Sequence, residues 1–122
     1  MKLVLSTIIT QNLEAMCDFY QKVLKIEPEI YRGNYAMFST EIAALALWRQ
    51  SEAEQYGLGA MQGASNSSLL IEFQVEDVDA EYRRLKDMSI DWLQELTTYP
   101  WDHRAFYIYD PDGNVINFHS AS

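Results

Sequence analysis

The chain has 122 residues, which is the size of one ordinary domain and argues against a multi-domain enzyme. Its hydrophobic fraction of 48%, with 22% charged residues, is typical of a folded globular protein and not of a disordered one. Eighteen acidic residues against nine basic ones give a net charge of −9, which repels phosphate backbones, so we expect no nucleic-acid partner and a preference for cationic ligands.

Cysteine content and hydropathy bear on the cellular compartment. Cys17 is the only cysteine, which excludes an internal disulfide and any multi-cysteine metal centre. The apolar segment at residues 1–9 is short, is interrupted by Ser6 and Thr7, and is followed by polar residues instead of a cleavage site. No apolar run reaches membrane-spanning length. We therefore expect a cytoplasmic protein without a membrane partner.

The first half of the chain predicts a strand, a helix and three further strands. Residues 2–10 are rich in β-branched side chains and predict a buried strand. Asn12 is a candidate N-cap for a helix whose apolar residues recur at helical spacing. Those apolar residues are Leu13, Met16, Cys17, Tyr20 and Leu24. The three strands that follow, the first two joined by a turn at Gly33-Asn34, are predicted at residues 29–31, 35–39 and 42–48.

The second half repeats this order after a segment rich in glycine and serine at residues 57–68, the only linker-like stretch. A strand is predicted at residues 69–75, and Asp77 is the candidate N-cap of the next helix. A shift of 65 positions moves Asn12 onto Asp77, which indicates an internal duplication. The apolar face of this second helix comprises Val78, Tyr82, Leu85 and Met88. The last three strands are predicted at residues 90–96, 104–109 and 114–119.

The segment Asp110-Pro111-Asp112-Gly113-Asn114 is the clearest turn signal, because proline fixes φ and glycine accepts a positive φ. Each half therefore predicts a βαβββ module, and two such modules with helices over their sheets indicate an α+β fold. We assign residues 1–122 to a single domain made of two modules. The module boundaries are 1–57 and 69–122, with a linker at 58–68.

Three segments resemble the vicinal oxygen chelate superfamily, which includes glyoxalase I, extradiol dioxygenases and the bleomycin- and fosfomycin-resistance proteins. The segments are residues 12–14 with 19–24, residues 75–79, and residues 106–114. The likeness spans nearly the whole chain, and the Asp-Pro-Asp-Gly-Asn turn is its most specific element. The resemblance implies a glyoxalase/bleomycin-resistance-like fold, in which a U-shaped, eight-stranded mixed sheet encloses a cleft.

In the metalloenzymes of this superfamily, four inward-facing side chains from the first and last strands of each module bind a divalent metal. The resemblance places Leu5, Ala46, Leu70 and Asn117 at these positions. Leucine and alanine have no donor atom, and asparagine offers only a neutral carbonyl oxygen. We therefore expect no bound metal and no cofactor.

Side chains alternate across a strand, so residues that share parity with those four positions are predicted to face the cleft. Their neighbours Ile116 and Phe118 have the opposite parity, are apolar and belong under the helices. A largely apolar cleft with a few polar points has the usual composition of a small-molecule pocket. Trp48, Tyr99 and Trp101 are candidate walls for a flat ligand. The predicted ligand-binding residues are Leu5, Thr7, Ala46, Trp48, Leu70, Glu72, Trp101, Asn117 and His119.

Several of these residues have a structural interpretation beside the functional one. Glu72 is a candidate general base, but it could equally be solvated or paired with Arg104. His119 is the other catalytic candidate, although a histidine there is more often a partly exposed strand residue. Trp48 and Trp101 are more often packing or dimer-interface residues than stacking platforms. The remaining set of metal-ligand candidates, which lacks the close spacing of metal motifs, is Glu72, Asp102, His103 and His119.

These observations lead to three hypotheses. The first is a metal-independent binding protein that sequesters an amphipathic, aromatic or cationic small molecule. Resemblance to the bleomycin-resistance branch implies a homodimer, with the cleft inside one chain or across a strand-exchanged pair. The second is a glyoxalase- or lyase-type enzyme that uses Glu72 or His119, with or without an unrecognised divalent metal. The third is an interaction module whose cleft is filled by its own side chains.

Overall fold

The computed structural model describes residues 1–121; Ser122, the last residue assigned to the second module, lies outside the described residues. The chain divides into two compact units, one formed by residues 1–65 and the other beginning at residue 66. Each unit contains one four-stranded mixed sheet, which confirms an α+β fold with eight strands distributed over two hydrogen-bonded sheets. Within residues 1–121, no helix combines the length and the apolar character needed to cross a membrane.

The first unit is built on a four-stranded sheet that has one parallel and two antiparallel strand pairings. Its elements are β1 (Leu5–Thr10), α1 (Leu13–Leu24), β2 (Glu29–Tyr31), β3 (Tyr35–Ser39), β4 (Ala44–Arg49) and α2 (Gln50–Gln55). The strand order is β1-β4-β3-β2. β1 and β4 are parallel, whereas β3 pairs antiparallel with both β4 and β2. The predicted hairpin at residues 29–31 and 35–39 is confirmed.

The core of the first unit lies between α1 and one face of its sheet. Ile8 and Leu45 on the strands are 5% and 3% exposed. Helical spacing brings Met16 and Tyr20 onto the buried side of α1, and the Tyr20 ring lies 6.2 Å from the ring of Phe38. Burial of each such side chain contributes about 1.5–3 kcal/mol. Because α1 covers only this face of the sheet, the side chains on the opposite face are left for other contacts.

The second unit repeats the topology of the first. Its elements are β5 (Leu70–Gln74), α3 (Val78–Leu85), β6 (Asp91–Tyr99), β7 (His103–Tyr109) and β8 (Val115–Ala121). The strand order β5-β8-β7-β6 corresponds position by position to that of the first sheet, and β5 and β8 are again parallel. This correspondence confirms the duplicated βαβββ module.

The two predicted helix caps have different outcomes. The Asp77 side chain accepts a 3.0 Å hydrogen bond from the Ala80 backbone N–H and therefore caps α3. Asn12 occupies the predicted N-cap position of α1, but its side chain makes no cap hydrogen bond. Its own backbone N–H instead donates to Thr10 Oγ1 at 2.9 Å. The fully buried side chain of Thr10, at the end of β1, thus satisfies the backbone N–H of the residue that precedes α1.

The structure adds a short helix that the sequence did not indicate. α2 follows β4 directly and has only two buried side chains, Gln50 and Ala53, so it lacks the repeated apolar spacing that predicts a helix. Gln50 Oε1 accepts a 2.7 Å hydrogen bond from the Gly63 backbone N–H, which ties part of the glycine-rich segment to the first unit. Several strand limits also differ from the prediction, the most displaced being the start of β1 at Leu5 and the end of β6 at Tyr99; β6 also has irregular register.

The turn between β7 and β8 is organised by one buried carboxylate. Asp110 is 3% exposed, and its Oδ1 accepts hydrogen bonds from the backbone N–H groups of Asp112 and Asn114, each at 2.9 Å. Its Oδ2 accepts a third from Asn114 Nδ2 at 2.8 Å. Gly113 has φ +84°, a conformation that other residues adopt at a cost. The predicted tight turn is confirmed.

We expect Asp110→Ala to lower the free energy of unfolding by about 2–4 kcal/mol, because three hydrogen bonds to a buried carboxylate are lost together. Urea unfolding followed by circular dichroism measures the change. Asp112→Ala is the matched control, since Asp112 Oδ2 is buried without a hydrogen-bond partner among the described residues. The control should change stability by less than about 1 kcal/mol. Equal destabilisation by the two substitutions would contradict the role given to Asp110.

Candidate functional site

One face of the first sheet carries all four ligand-binding residues predicted for the first module. Thr7 pairs with Ala46 across β1 and β4, and Leu5 and Trp48 each lie two residues along the same strands. We call the surface formed by these four residues the first face. Leu5 is 38% exposed, whereas Ala46 is fully buried and so adds no accessible surface. The predicted parity is confirmed; ligand binding by these residues stays a prediction.

One face of the second sheet brings together the corresponding residues of the second module. Glu72 pairs with Asn117 across β5 and β8, and Leu70 and His119 lie two residues away on the same strands. We call the surface formed by these four residues the second face. Their neighbour Phe118 points to the other side and is 3% exposed. The separation of polar and apolar residues inferred from parity is therefore confirmed.

The polar residues of the second face are connected by a chain of contacts. Asn117 is 1% exposed, and its Nδ2 donates a 3.1 Å hydrogen bond to Glu72 Oε1. Its Oδ1 lies 3.4 Å from His119 Nδ1. A His119 tautomer with the proton on Nδ1 satisfies this contact and leaves Nε2 as the acceptor nitrogen. The His119 ring also stacks on His103, with ring centroids 5.1 Å apart.

Arg104 does not pair with Glu72, so that structural interpretation of Glu72 is wrong. The Arg104 guanidinium contacts the carboxylate of Asp79 on α3, with Nη2 2.9 Å from Oδ1. Its Nη1 donates to Thr98 Oγ1 at 2.8 Å. The hydrogen bond from Arg104 holds the pKa of Asp79 below its usual value. Glu72 is exposed and remains accessible to a ligand.

Aromatic side chains extend the second face toward the turn between β6 and β7. Tyr107 pairs with Asn117 and therefore shares its face. The Tyr99 ring meets Tyr107 edge-on at 6.3 Å and stacks on Trp101 at 4.8 Å. Burial raises the pKa of Tyr99, so its hydroxyl stays protonated at neutral pH. Trp101 is 62% exposed, which leaves its outer ring face free to contact a ligand or a second protein.

The first unit contains a pocket next to the first face. Its cavity volume is about 420 Å³, and we call it the aromatic pocket. It is lined by Tyr31, Arg32, Tyr35, Trp48, Glu52 and Tyr56. Sequence reasoning selected only Trp48 among these residues. The predicted hairpin contained the missing signal, because Tyr31 pairs with Tyr35 across the turn and Tyr35 pairs with Trp48, so their rings share one face.

The single cysteine has the properties of an unreactive thiol. Cys17 lies on α1 and is half-buried. Burial raises its pKa, and the nearby carboxylates of Asp18 and Glu14 raise it further. The thiolate is the nucleophilic form of cysteine, so these effects oppose a catalytic role.

Comparison with known proteins gives consistent results. A family model described as a glyoxalase-like domain matches residues 1–121. The protein YwbC of Bacillus subtilis (strain 168) is 32% identical over 121 residues, covering 91% of this chain and 90% of YwbC. A glyoxalase/bleomycin resistance protein/dioxygenase family enzyme from Burkholderia phytofirmans PsJN has a TM-score of 0.86 and 18% identity over 100% of both chains. Lactoylglutathione lyase from Agrobacterium tumefaciens has a TM-score of 0.76 and 20% identity, covering 97% of this chain and 92% of that one. At these identities, the two structural likenesses concern the fold.

The ion pair on the second unit predicts a pH effect. Because Arg104 lowers the pKa of Asp79 in the folded state, the stabilisation is present above the ordinary aspartate pKa and is lost as pH falls through the lowered value. We expect Arg104→Gln to return the pKa of Asp79 toward that of free aspartate. Carboxyl-carbon NMR titration measures it. Arg84→Gln, which removes a charge that pairs with Glu81, is the control. An unshifted Asp79 pKa in the Arg104 variant would contradict the assignment.

Proposed function

The chain belongs to the vicinal oxygen chelate superfamily, as a glyoxalase-like domain, and from this premise we propose that it is a metal-independent binding protein for a small molecule. The proposed ligand is amphipathic and carries an aromatic or cationic group. The observation that carries the proposal is the chemistry of the side chains at the four positions that the superfamily's metalloenzymes use for ligands.

Those four side chains do not fit a divalent cation. Leu5, Ala46 and Leu70 have hydrocarbon side chains and no donor atom. The amide of Asn117 already contacts Glu72 with its nitrogen and lies near His119 with its oxygen. Within residues 1–121, no group of three or more His, Cys, Asp or Glu side chains is arranged so that it could hold a metal ion. A divalent cation needs several oxygen or nitrogen donors to replace its water ligands, so this donor set supports binding without a metal.

The class of ligand follows from the composition of the two faces and from the charge of the chain. Leu5 and Leu70 are 38% and 40% exposed and offer apolar contact area, and Trp101 offers a flat ring. Glu72 and His119 are sparse polar groups that can orient a guest. The net charge of −9 favours positively charged molecules over anions at low salt. Together these features support an amphipathic guest that carries an amine or other cationic group.

We also propose that the protein acts as a homodimer. Large apolar side chains remain exposed on both units, including Leu3 at 87% and Ile42 at 93% on the first, and Leu93 at 49% on the second. The resemblance to the bleomycin-resistance branch implies a dimer, and these side chains offer apolar surface that such a contact could cover. Sedimentation velocity at micromolar concentration tests this: a monomer at all concentrations would refute the dimer without affecting the binding proposal.

We expect purified protein to bind bleomycin and smaller amphipathic aromatic cations, with a quenching or shift of tryptophan fluorescence, and with dissociation constants unchanged by EDTA. Uncharged aromatic compounds of matched size are the control, and they should bind more weakly at low salt because they lack the electrostatic attraction. Absence of binding across the panel would refute the proposal. Elemental analysis of protein purified without chelators provides the second test, since a stoichiometric nickel, zinc, iron or manganese would overturn metal independence.

A second candidate function is an enzyme of the glyoxalase or lyase type. The observation that favours it is the chain from Glu72 through Asn117 to His119, with an exposed carboxylate at one end. A carboxylate that moves a proton on a bound substrate is the minimal requirement for such chemistry. Glu72 is the proposed base, and His119 Nε2 is a second position that can accept a proton.

The two candidate functions are separated by an assay for lactoylglutathione lyase activity, run with and without added divalent metals. The binding proposal predicts no turnover above background in either condition. If turnover is found, Glu72→Gln should reduce kcat by at least about 100-fold, because general acid–base catalysis typically contributes that much. Glu76→Gln, an exposed carboxylate two residues past the end of β5, is the matched control and should leave the rate unchanged.

A further inference from the structure

The aromatic pocket is lined by four aromatic side chains, and two pairs of their rings meet at steep interplanar angles. The rings of Tyr35 and Trp48 are 6.3 Å apart with an interplanar angle of 74°, and those of Tyr31 and Tyr35 are 5.7 Å apart at 64°. The Tyr56 ring lies 6.4 Å from the Trp48 ring at a smaller interplanar angle of 32°. Non-parallel rings around one cavity present several electron-rich faces to the same guest. This geometry suits a group that contacts more than one ring face.

One wall of the aromatic pocket is a carboxylate that is held in place by neutral donors. Glu52 Oε1 accepts a 3.0 Å hydrogen bond from Trp48 Nε1, and its Oε2 accepts one from Asn34 Nδ2. Arg49 in turn donates to Asn34 Oδ1 at 2.9 Å and pairs with Glu14 at 2.7 Å. Both donors to Glu52 are uncharged. These two hydrogen bonds orient the carboxylate beside the rings.

A second carboxylate lies at the rim of the aromatic pocket. The Tyr31 hydroxyl donates to Glu29, and this hydrogen bond raises the pKa of Tyr31. Arg32 is the single basic residue of the lining, and it is exposed. Arg49 also lies near Glu52, but its guanidinium is paired with Glu14. The remaining balance of Glu29 and Glu52 against Arg32 favours a cationic guest.

We propose that the aromatic pocket binds a quaternary or alkylated ammonium group, held over the faces of Tyr35, Trp48 and Tyr56 and balanced by Glu52. The inference rests on the proposed function, because Trp48 belongs to the ligand-binding set and the ammonium is the cationic part of the ligand. Cation–π attraction is strongest for tryptophan and rises when the cation is partly desolvated. A cavity of about 420 Å³ is larger than a trimethylammonium group alone and leaves room for the apolar remainder of the ligand.

The direct test compares choline with 3,3-dimethylbutan-1-ol, an uncharged molecule of the same shape. Titrations are followed through the chemical shift of the Trp48 indole N–H by NMR. Choline is expected to bind at least about tenfold more tightly than the alcohol, because only the cation gains from the ring faces and the carboxylate. Equal affinity of the two compounds would overturn the proposal, since apolar contact alone would then explain binding.

Substitutions locate the site. Isothermal titration calorimetry follows choline binding in the variants, because substitution of Trp48 removes the indole signal. Trp48→Leu is expected to weaken choline binding by about tenfold, and Trp48→Phe, which keeps a ring, by less. Glu52→Gln should weaken it by about fivefold at low salt and by less at high salt. Glu54→Gln is the matched control, because it removes the same charge from the same helix outside the pocket lining. Arg32→Gln should strengthen binding, since it removes a like charge. Circular dichroism verifies that each variant is folded.

The outcomes distinguish this inference from the proposed function. If the panel compounds bind but Trp48→Leu and Glu52→Gln leave their affinity and that of choline unchanged, the protein is a small-molecule binder and the aromatic pocket is not its cation site. If neither the panel nor choline binds, both proposals fail. Choline selectivity that is lost in the Trp48 and Glu52 variants but kept in Glu54→Gln supports the assignment.

Discussion

The parallel pairing of the first and last strands in each module is the constraint on which the rest of the structure depends. Once β1 lies beside β4 and β5 beside β8, the alternation of side chains assigns every residue of these strands to one of two faces. In the first unit, α1 buries Ile8 and Leu45 on one side and leaves Leu5 exposed on the other. A slip of one residue would exchange the two sets and bury Glu72. The register is therefore fixed by the cost of burying a charge.

Local signals were sufficient to predict most of this architecture. Glycine at positions 33 and 113, where φ is positive, marked the turns of the β2–β3 and β7–β8 hairpins. Alternating apolar residues marked the strands. The shift that superposes Asn12 on Asp77 predicted that the two units would share a topology, and they do. Even so, the two helix starts differ: the Asp77 carboxylate accepts from the Ala80 backbone N–H in the first turn of α3, whereas at α1 the Asn12 side chain makes no such bond and its own backbone N–H donates to Thr10 Oγ1.

What the sequence could not predict depends on side chains that meet across long separations. α2 has too few apolar positions to register as a helix, yet it places Glu52 against Trp48 and so builds one wall of the aromatic pocket. His103 and His119 lie on different strands, and only the pairing of β7 with β8 brings their rings together. Nothing in the local pattern could select Asp79 as the partner of Arg104, because the two are 25 residues apart.

The two sheets share one topology but differ in the chemistry of their open faces. The first face ends in aromatic rings around Glu52, which can hold a cation but offers little for proton transfer. The second face has its hydrogen-bonding groups in a row, although the central member, Asn117, is a neutral amide that neither gains nor loses a proton near pH 7. Asn117 therefore orients Glu72 and His119 but does not transfer a proton between them. Fixed orientation without a path for charge is better suited to recognising a ligand than to converting it, and on this point the binding proposal is favoured over the enzymatic one.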